Sequence, residues 1–270
     1  MSILLGNVLN NTTTNNKNGP FYVSSYIKNR ILDDIENVLQ RLEITVVRIP
    51  KNKVLDNQIL WVRDIVIKVN DTYMLPFMTK SDTLGINRTE EYKSILSFIE
   101  HPIKLGRSIQ IEGGDIIEHN NNIFIGVNKR TREKGFLFMK NQFKNKKSVM
   151  ICHNALHLDC CFCVLNNDII IYSHRYIKGL PKFVQQNYEC ICIEDIIQND
   201  EVDVILAANI LIIGNNIITT DQKEFHPFRQ FLRQLGYNVF EIKYNKLFLE
   251  GGGIRCLTQW LIKPKQQYIF

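Results

Sequence analysis

No apolar stretch in these 270 residues approaches the roughly 18–20 residues that a membrane-spanning helix needs, so no membrane span is expected. Near the N-terminus only Ile3-Leu4-Leu5 is apolar and no basic leader accompanies it, so a secretory signal is not expected and a cytoplasmic protein is. A concentrated basic patch is also lacking. The net charge is +6 and mildly favours anionic partners, but the basic residues are dispersed apart from Lys144-Asn145-Lys146-Lys147, which reads as a solvated loop. No nucleic-acid partner is expected. Seven cysteines, an odd number without an export signal, fit a reducing compartment better than a disulfide framework. Most sit in apolar runs, as in Cys160-Cys161-Phe162-Cys163 and Cys190-Ile191-Cys192, where a free thiol packs as a small hydrophobe. The segment Cys152 to Cys160 mixes Cys, His and Asp, but it holds no CxxC pair, and the ligands of a strand would alternate faces. No metal site is expected there.

What is present is ordinary for a globular chain, 45% apolar and 22% charged, and it repeats. The polar dipeptides Asn70-Asp71, Asn121-Asn122, Asn166-Asn167 and Asn215-Asn216 recur at spacings of 51, 45 and 49 residues, each between two β-rich runs. Asn and Asp tolerate the left-handed backbone of tight turns, so these are expected hairpins. Helical spacing follows three of them, in Glu90–Ile99, Leu180–Tyr188 and Phe225–Leu235. Further strands come after, such as Ser148–His153 and Asn238–Lys243. A unit of hairpin, helix and strand, about fifty residues long, allows about five units in one domain spanning 1–270. A ring of five such α/β units would bring loops from distant positions to one axis. The Asn- and Thr-rich stretch Asn10–Asn18 reads as a mobile loop.

Three segments interrupt apolar β runs with polar groups. In Ile111-Glu112-Gly113-Gly114-Asp115 the paired glycines permit close backbone approach beside two carboxylates; a β-bulge with Glu112 solvated is the plain alternative. In His157-Leu158-Asp159 the first and third residues of a strand would share one face, either as a surface pair or as a buried pair with a task. The imidazole suits general acid–base work near neutral pH. In Glu250-Gly251-Gly252-Gly253-Ile254-Arg255-Cys256 a glycine-rich approach opens a strand at Cys256 beside a cation, a setting that favours the nucleophilic thiolate; one more core cysteine is the alternative. With Asp64, the carboxylates Glu112, Asp115 and Asp159 outnumber what an ordinary Cys-His hydrolase needs. Clustered negative charge suits a cationic ligand, and a planar guanidinium offers carboxylates paired, charge-assisted hydrogen bonds.

These segments resemble, in order and over most of the chain, those of the pentein superfamily of guanidino-group-modifying enzymes: Val62-Arg63-Asp64, Ile111 to Asp115, His157-Leu158-Asp159 and Gly251 to Cys256. Within it, Ile111-Glu-Gly-Gly-Asp followed by Ile125-Gly-Val-Asn-Lys-Arg130-Thr131 is most similar to arginine deiminases, while Arg63-Asp64-Ile-Val-Ile and Arg88-Thr-Glu-Glu-Tyr are similar to amidinotransferases. The resemblance implies a five-bladed pseudo-symmetric α/β propeller, in agreement with the repeat count. It implies Cys256 as nucleophile, His157 as general acid and base, and Glu112 orienting both His157 and substrate. Asp64 and Asp159 would clamp the guanidinium, Asp115 would touch substrate or cap the glycine turn, and Arg88 and Arg130 would hold a substrate carboxylate. Where the family often carries a further carboxylate-binding arginine, this chain reads Phe248-Leu249-Glu250-Gly251.

The implied function is deiminase-type hydrolysis of arginine or a related guanidine through a covalent thiouronium, with no metal or organic cofactor. The partner is a small guanidino substrate, and a homodimer is left open. Two alternatives stand beside it: amidino transfer from the same adduct to an amine, and a non-catalytic binding protein on the same fold.

Overall fold

A computed structural model describes residues 1–8, 23–50, 60–77, 93, 95–199, 201, 203–244 and 247–261. Strand β1 (Ser2–Leu5) and strand β2 (Thr45–Arg48) flank helix α1 (Ser25–Arg41). A helical turn α2 (Val62–Ile65) precedes β3 (Ile67–Val69), β4 (Thr72–Leu75) and β5 (Ile103–Lys104). The third unit is β6 (Ile116–His119), β7 (Asn122–Val127), α3 (Glu133–Gln142) and β8 (Lys147–Cys152). The fourth is β9 (Phe162–Val164), β10 (Ile169–Tyr172), α4 (Lys182–Asn187) and β11 (Glu189–Cys192), followed by α5 (Ile193–Ile197). The last is β12 (Leu211–Ile213), β13 (Asn216–Thr220), α6 (His226–Gln234) and β14 (Asn238–Ile242), and β15 (Thr258–Leu261) closes the chain.

Each of the five sheets has three strands and one topology: a first strand antiparallel to the second, and a third parallel to the second. In the sheet β15-β1-β2 the hairpin is split between the chain's two ends, with Ser2 opposite Leu261 and Leu5 opposite Thr258. Only four hairpin dipeptides recur in the sequence for that reason; the fifth pair of strands is joined by hydrogen bonds rather than by a turn. The arrangement is consistent with the expected five-fold pseudo-symmetry. A cavity of about 350 Å³ lies among first strands of neighbouring sheets, lined by Ile117, Phe162, Leu211 and Trp260, with Arg255 also on its wall.

The elements follow from local sequence. Second strands are continuous apolar runs because they are covered on both faces: Ile3, Leu4 and Leu5, then Ile123, Phe124 and Ile125, then Ile170 and Ile171, then Ile217 and Ile218 are all essentially inaccessible. Helix α1 starts at Ser24, whose hydroxyl accepts from the Ile27 N–H, and buries Ile31, Leu32, Ile35, Val38 and Leu39 along one stripe. Helix α6 has proline in its first turn and buries Phe228 and Leu232 as its spacing predicts, while Leu235 stays exposed.

The turns differ from expectation by a residue in places. Asn70-Asp71 is as expected, with Asn70 at φ 49°. The next turn is Asn120-Asn121, because Asn120 takes the left-handed backbone (φ 50°) and Asn122 pairs with His119. At the last, Gly214 takes that role (φ 57°) and Asn216 pairs with Ile213. Of the expected helix Glu90–Ile99, residues 95–98 form turns rather than a helix, although Ile95 and Ile99 are buried; residues 90–92 and 94, like Asn10–Asn18 and Arg88, lie outside the described residues. No helix among the described residues is long and apolar enough to cross a membrane.

Candidate active site

The candidate site residues sit on, or immediately before, short helical turns just ahead of first strands. These are α2 and the 3-10 turns Gly113–Asp115, Leu158–Cys160 and Arg255–Leu257. Turn α2 packs against both Gly113–Asp115 and Arg255–Leu257, and Gly113–Asp115 packs against Leu158–Cys160. Here the expected strands give way to turns. His157 is extended, but Asp159 has entered the 3-10 turn, and Cys256 lies within one rather than opening β15. A strand would alternate its side chains between faces, whereas a tight turn lets neighbours such as Asp159 and Cys160 both be buried.

The glycines make room for this convergence. A Cβ on Gly114 would fall 2.6 Å from His157 Cγ, and one on Gly113 would fall 2.0 Å from the Arg63 carbonyl oxygen. Gly252 lies under the Trp61 ring and Gly253 against Asn209, again with no space for a side chain. Close approach explains Gly113, Gly114, Gly252 and Gly253, whereas Gly251 takes a left-handed backbone (φ 90°) that favours glycine.

His157 is held between two carboxylates. Its Nε2 is 2.6 Å from Glu112 Oε2 and its Nδ1 is 3.4 Å from Asp64 Oδ1, all three side chains being buried. Burial alone would lower the imidazole pKa. The Asp64 charge and the Glu112 hydrogen bond and charge outweigh it and hold His157 well above its ordinary value. The two carboxylates thus favour the imidazolium, the form that can act as a proton donor. Arg130 Nη1 reaches both Glu112 oxygens, at 3.3 and 3.2 Å, from a side chain that is one-third exposed. Arg130 is thus brought to the site, bound to Glu112.

Cys256 is buried and held by a residue that the motifs did not mark. Asn209 Nδ2 donates to Cys256 Sγ (3.2 Å) and to the Asp159 carbonyl (3.1 Å), and its Oδ1 accepts from the Arg255 and Cys256 N–H groups (2.9 and 3.3 Å). One amide thereby ties the nucleophile candidate to the turn bearing Asp159. A hydrogen bond with Cys256, and then burial, push the Cys160 thiol well above its ordinary value, so Cys160 stays protonated beside Cys256. Asp159 is fully buried, and its Oδ2 lies 3.3 Å from Arg255 Nε, a carboxylate–guanidinium pair at the centre of the fold. Burial raises the Asp159 pKa despite the opposing charges of Arg255 and His157. Arg63 is a second buried guanidinium, donating to Gln259 Oε1 at 2.7 Å. Burial and then the Arg255 charge lower it to about 9, against the pull of Asp159, Cys256 and Asp64, and it remains charged at neutral pH.

Of the two roles expected of Asp115, its hydrogen bonds favour the structural one. It has no exposed surface; Oδ2 accepts from the Thr131 hydroxyl (2.6 Å), and Oδ1 accepts from the Leu158 N–H (2.8 Å) with His153 Nε2 at 3.0 Å. The Thr131 hydroxyl in turn accepts from the Glu112 N–H at 3.0 Å. Asp115 joins the β7–α3 loop, β8 and the His157 turn, which fixes the spacing of Glu112 and His157. Glu250 pairs with Lys28 on α1 at 2.7 Å and accepts from the Val23 N–H.

Residues to which sequence reasoning gave no role are Asn209 and the supports His153 and Thr131. Asn209 could have been found from the repeat, since it precedes β12 as Asp64, Asp115 and Asp159 precede their own first strands. The ligand atoms of His157, Asp159 and Cys160 lie within 4.8 Å of one another, as a metal would require. His157 nevertheless has carboxylates on both nitrogens and Asp159 has Arg255, partners that suit proton transfer and cation binding.

Comparison with known proteins bears on the fold. Residues 91–199 match the family model described as arginine deiminase. The amidinotransferase SxtG of the saxitoxin pathway in Microseira wollei superimposes with a TM-score of 0.73, at 14% identity, over 100% of this chain and 96% of that one. The chain shares the pentein fold. The DDAH of Pseudomonas aeruginosa bound to citrulline has the same fold, with a TM-score of 0.66 at 15% identity, covering 95% of this chain and 97% of that one. Among curated relatives, the uncharacterized protein YkgA of Bacillus subtilis (strain 168) is 26% identical over 230 residues, 83% of this chain and 77% of that protein.

Proposed function

We propose that this protein is a cysteine-dependent guanidine hydrolase of the deiminase type, acting on arginine or a related small guanidine. The observation that carries the reading is the His157 imidazolium clamped by Glu112 and Asp64, on turns packed with those bearing Asp159 and Cys256. Substrate guanidinium would lie against Asp64 and Asp159, taking the place beside Asp159 that Arg255 occupies. Its charge favours the Cys256 thiolate, and the Asn209 N–H steadies the same sulfur. Cys256 Sγ attacks the guanidinium carbon, a C–N bond breaks, and His157 gives its proton to the departing nitrogen. The neutral imidazole then removes a proton from water, which attacks the S-bound thiouronium carbon. The C–S bond breaks and the O-protonated product gives its extra proton to the released amine, leaving a ureido product, the thiolate and a restored imidazolium. Splitting one hard step into two is the benefit of the covalent route. The reaction calls for no metal or organic cofactor, nucleic acid or membrane.

Arg130 is the described cation available for a substrate carboxylate, and binding one would release Glu112 to His157 and substrate. Arg88 is the second proposed anchor. The likeness in fold to an amidinotransferase supports a second reading, in which an amine rather than water intercepts the thiouronium. A panel of guanidines (arginine, agmatine, methylarginines, guanidino acids) incubated without an acceptor amine tests both. The expected result is ammonia or alkylamine release with a ureido product, abolished in Cys256→Ala. Turnover that appears only when an amine acceptor is added would establish the transferase reading, and no turnover under either condition would refute both.

A further inference from the structure

A second cluster of chemically capable side chains lies in the fourth unit, outside the Cys256 centre. Strands β10 and β11 run in parallel with Tyr172 opposite Cys192, so their carboxyl ends finish side by side. His174 follows two residues beyond Tyr172, and Glu194 two residues beyond Cys192. The chain brings three donor atoms into one triangle there: His174 Nδ1 to Cys192 Sγ is 3.1 Å, Cys192 Sγ to Glu194 Oε2 is 3.0 Å, and His174 Nδ1 to Glu194 Oε2 is 3.5 Å. Cys192 and Glu194 are buried, whereas the His174 side chain is 56% exposed and leaves an open approach.

We propose that His174, Cys192 and Glu194 form a binding site for a divalent cation of the zinc class. A zinc ion at about 2.3 Å from sulfur and about 2.0–2.1 Å from nitrogen and oxygen would hold tetrahedral ligands roughly 3.3–3.6 Å apart. The observed triangle needs to open by only a few tenths of an ångström on two sides. Sulfur and imidazole beside one carboxylate select zinc or cobalt over magnesium or calcium, which take oxygen ligands. The exposed side of His174 leaves the fourth position to water. On binding, the Cys192 thiol proton, which now points to Glu194 Oε2, passes to solvent as the sulfur–metal bond forms, while Nδ1 of neutral His174 and Oε2 of Glu194 donate lone pairs.

Glu194 is already oriented for this. Its Oε1 accepts from the Ser173 hydroxyl and the Arg175 N–H, and its Oε2, which also accepts from the His174 N–H (3.3 Å), lies on the side of the thiol and the imidazole. The loop that carries His174 also braces the catalytic segment, since the Ser173 N–H donates to the Cys161 carbonyl (2.9 Å) and the Asn154 N–H to the Tyr176 carbonyl (3.0 Å). A bound cation would therefore stiffen the support of the turn bearing His157 and Asp159.

Cobalt(II) titration of the full-length, reduced protein tests the site without any assay of turnover. One equivalent is expected to bind with a near-ultraviolet thiolate-to-cobalt charge-transfer band that zinc then displaces, and the melting temperature should rise with either metal. The band is expected to persist in Cys256→Ser and to be lost in both Cys192→Ser and His174→Ala, with circular dichroism confirming that each variant is folded. His174→Ala alters an exposed side chain, so it decides the matter even if Cys192→Ser does not fold. No band in the wild-type protein, or a band lost in Cys256→Ser and kept in His174→Ala, overturns the proposal.

Discussion

Replacing Glu112 by Gln is the sharpest probe of the centre, because it keeps the shape of the side chain and removes only its charge. The His157 Nε2–H then donates to a neutral amide oxygen instead of a carboxylate at 2.6 Å. A hydrogen bond to a charged partner contributes about 1.5–3 kcal/mol and a neutral one about 0.5–1.5 kcal/mol, so the imidazolium loses about 1–2 kcal/mol of support. That is roughly a five- to thirtyfold fall in the ratio of imidazolium to imidazole at any fixed pH. Asp64 at 3.4 Å continues to hold part of the charge, so the fall is partial. NMR of histidine-labelled protein, with His157→Asn assigning the resonance among the six histidines, should show the His157 titration moving to lower pH in the variant. Where a substrate is turned over, the alkaline limb of activity should move the same way. The stability profile follows the same sign. A histidine with a raised pKa contributes stability that is complete below its unfolded value of about 6.5 and is lost as pH rises through its folded value. The variant should therefore lose most stability on the acid side and least at alkaline pH. A His157 titration that stays in place or moves upward would refute the assignment of Glu112 as the group that holds the proton on His157.

Asp115→Asn should act on folding rather than on substrate affinity. It turns an amide N–H toward donors in a fully buried site, at a cost of about 2–3 kcal/mol, measurable by denaturant unfolding. Unchanged stability with a raised KM would restore the substrate-contact role. Asn209→Ala removes the donor to Cys256 Sγ and leaves the Arg255 and Cys256 N–H groups without their acceptor, so about 1–3 kcal/mol of stability should be lost. Alkylation of Cys256, followed by mass spectrometry, should also slow at neutral pH; an unchanged rate would separate Asn209 from the thiolate.

Much of the unit was legible in the sequence because its signals are local. Asn70 and Asn120 turn hairpins through their own backbone preference, and runs such as Ile123-Phe124-Ile125 announce a strand covered on both faces. The sequence also marked Cys256, His157, Glu112, Asp64 and Asp159 as candidates, since polar groups that interrupt apolar runs stand out, and the turns that carry them pack together. The closing sheet could not be read from local pattern, because β1 and β15 meet only when the two ends of the chain do. The partners of each site residue were equally out of reach. Whether Asp115 meets substrate or Thr131, and whether Arg130 is free or bound to Glu112, depends on which turns pack together across the centre. Asn209 shows the difference most plainly: along the chain it is one polar residue before an apolar run, and in space it is the amide that holds Cys256 and the Asp159 turn at hydrogen-bond distance. Local sequence determines backbone preference and chemical type, whereas contact between residues about fifty positions apart is set by the packing of whole units.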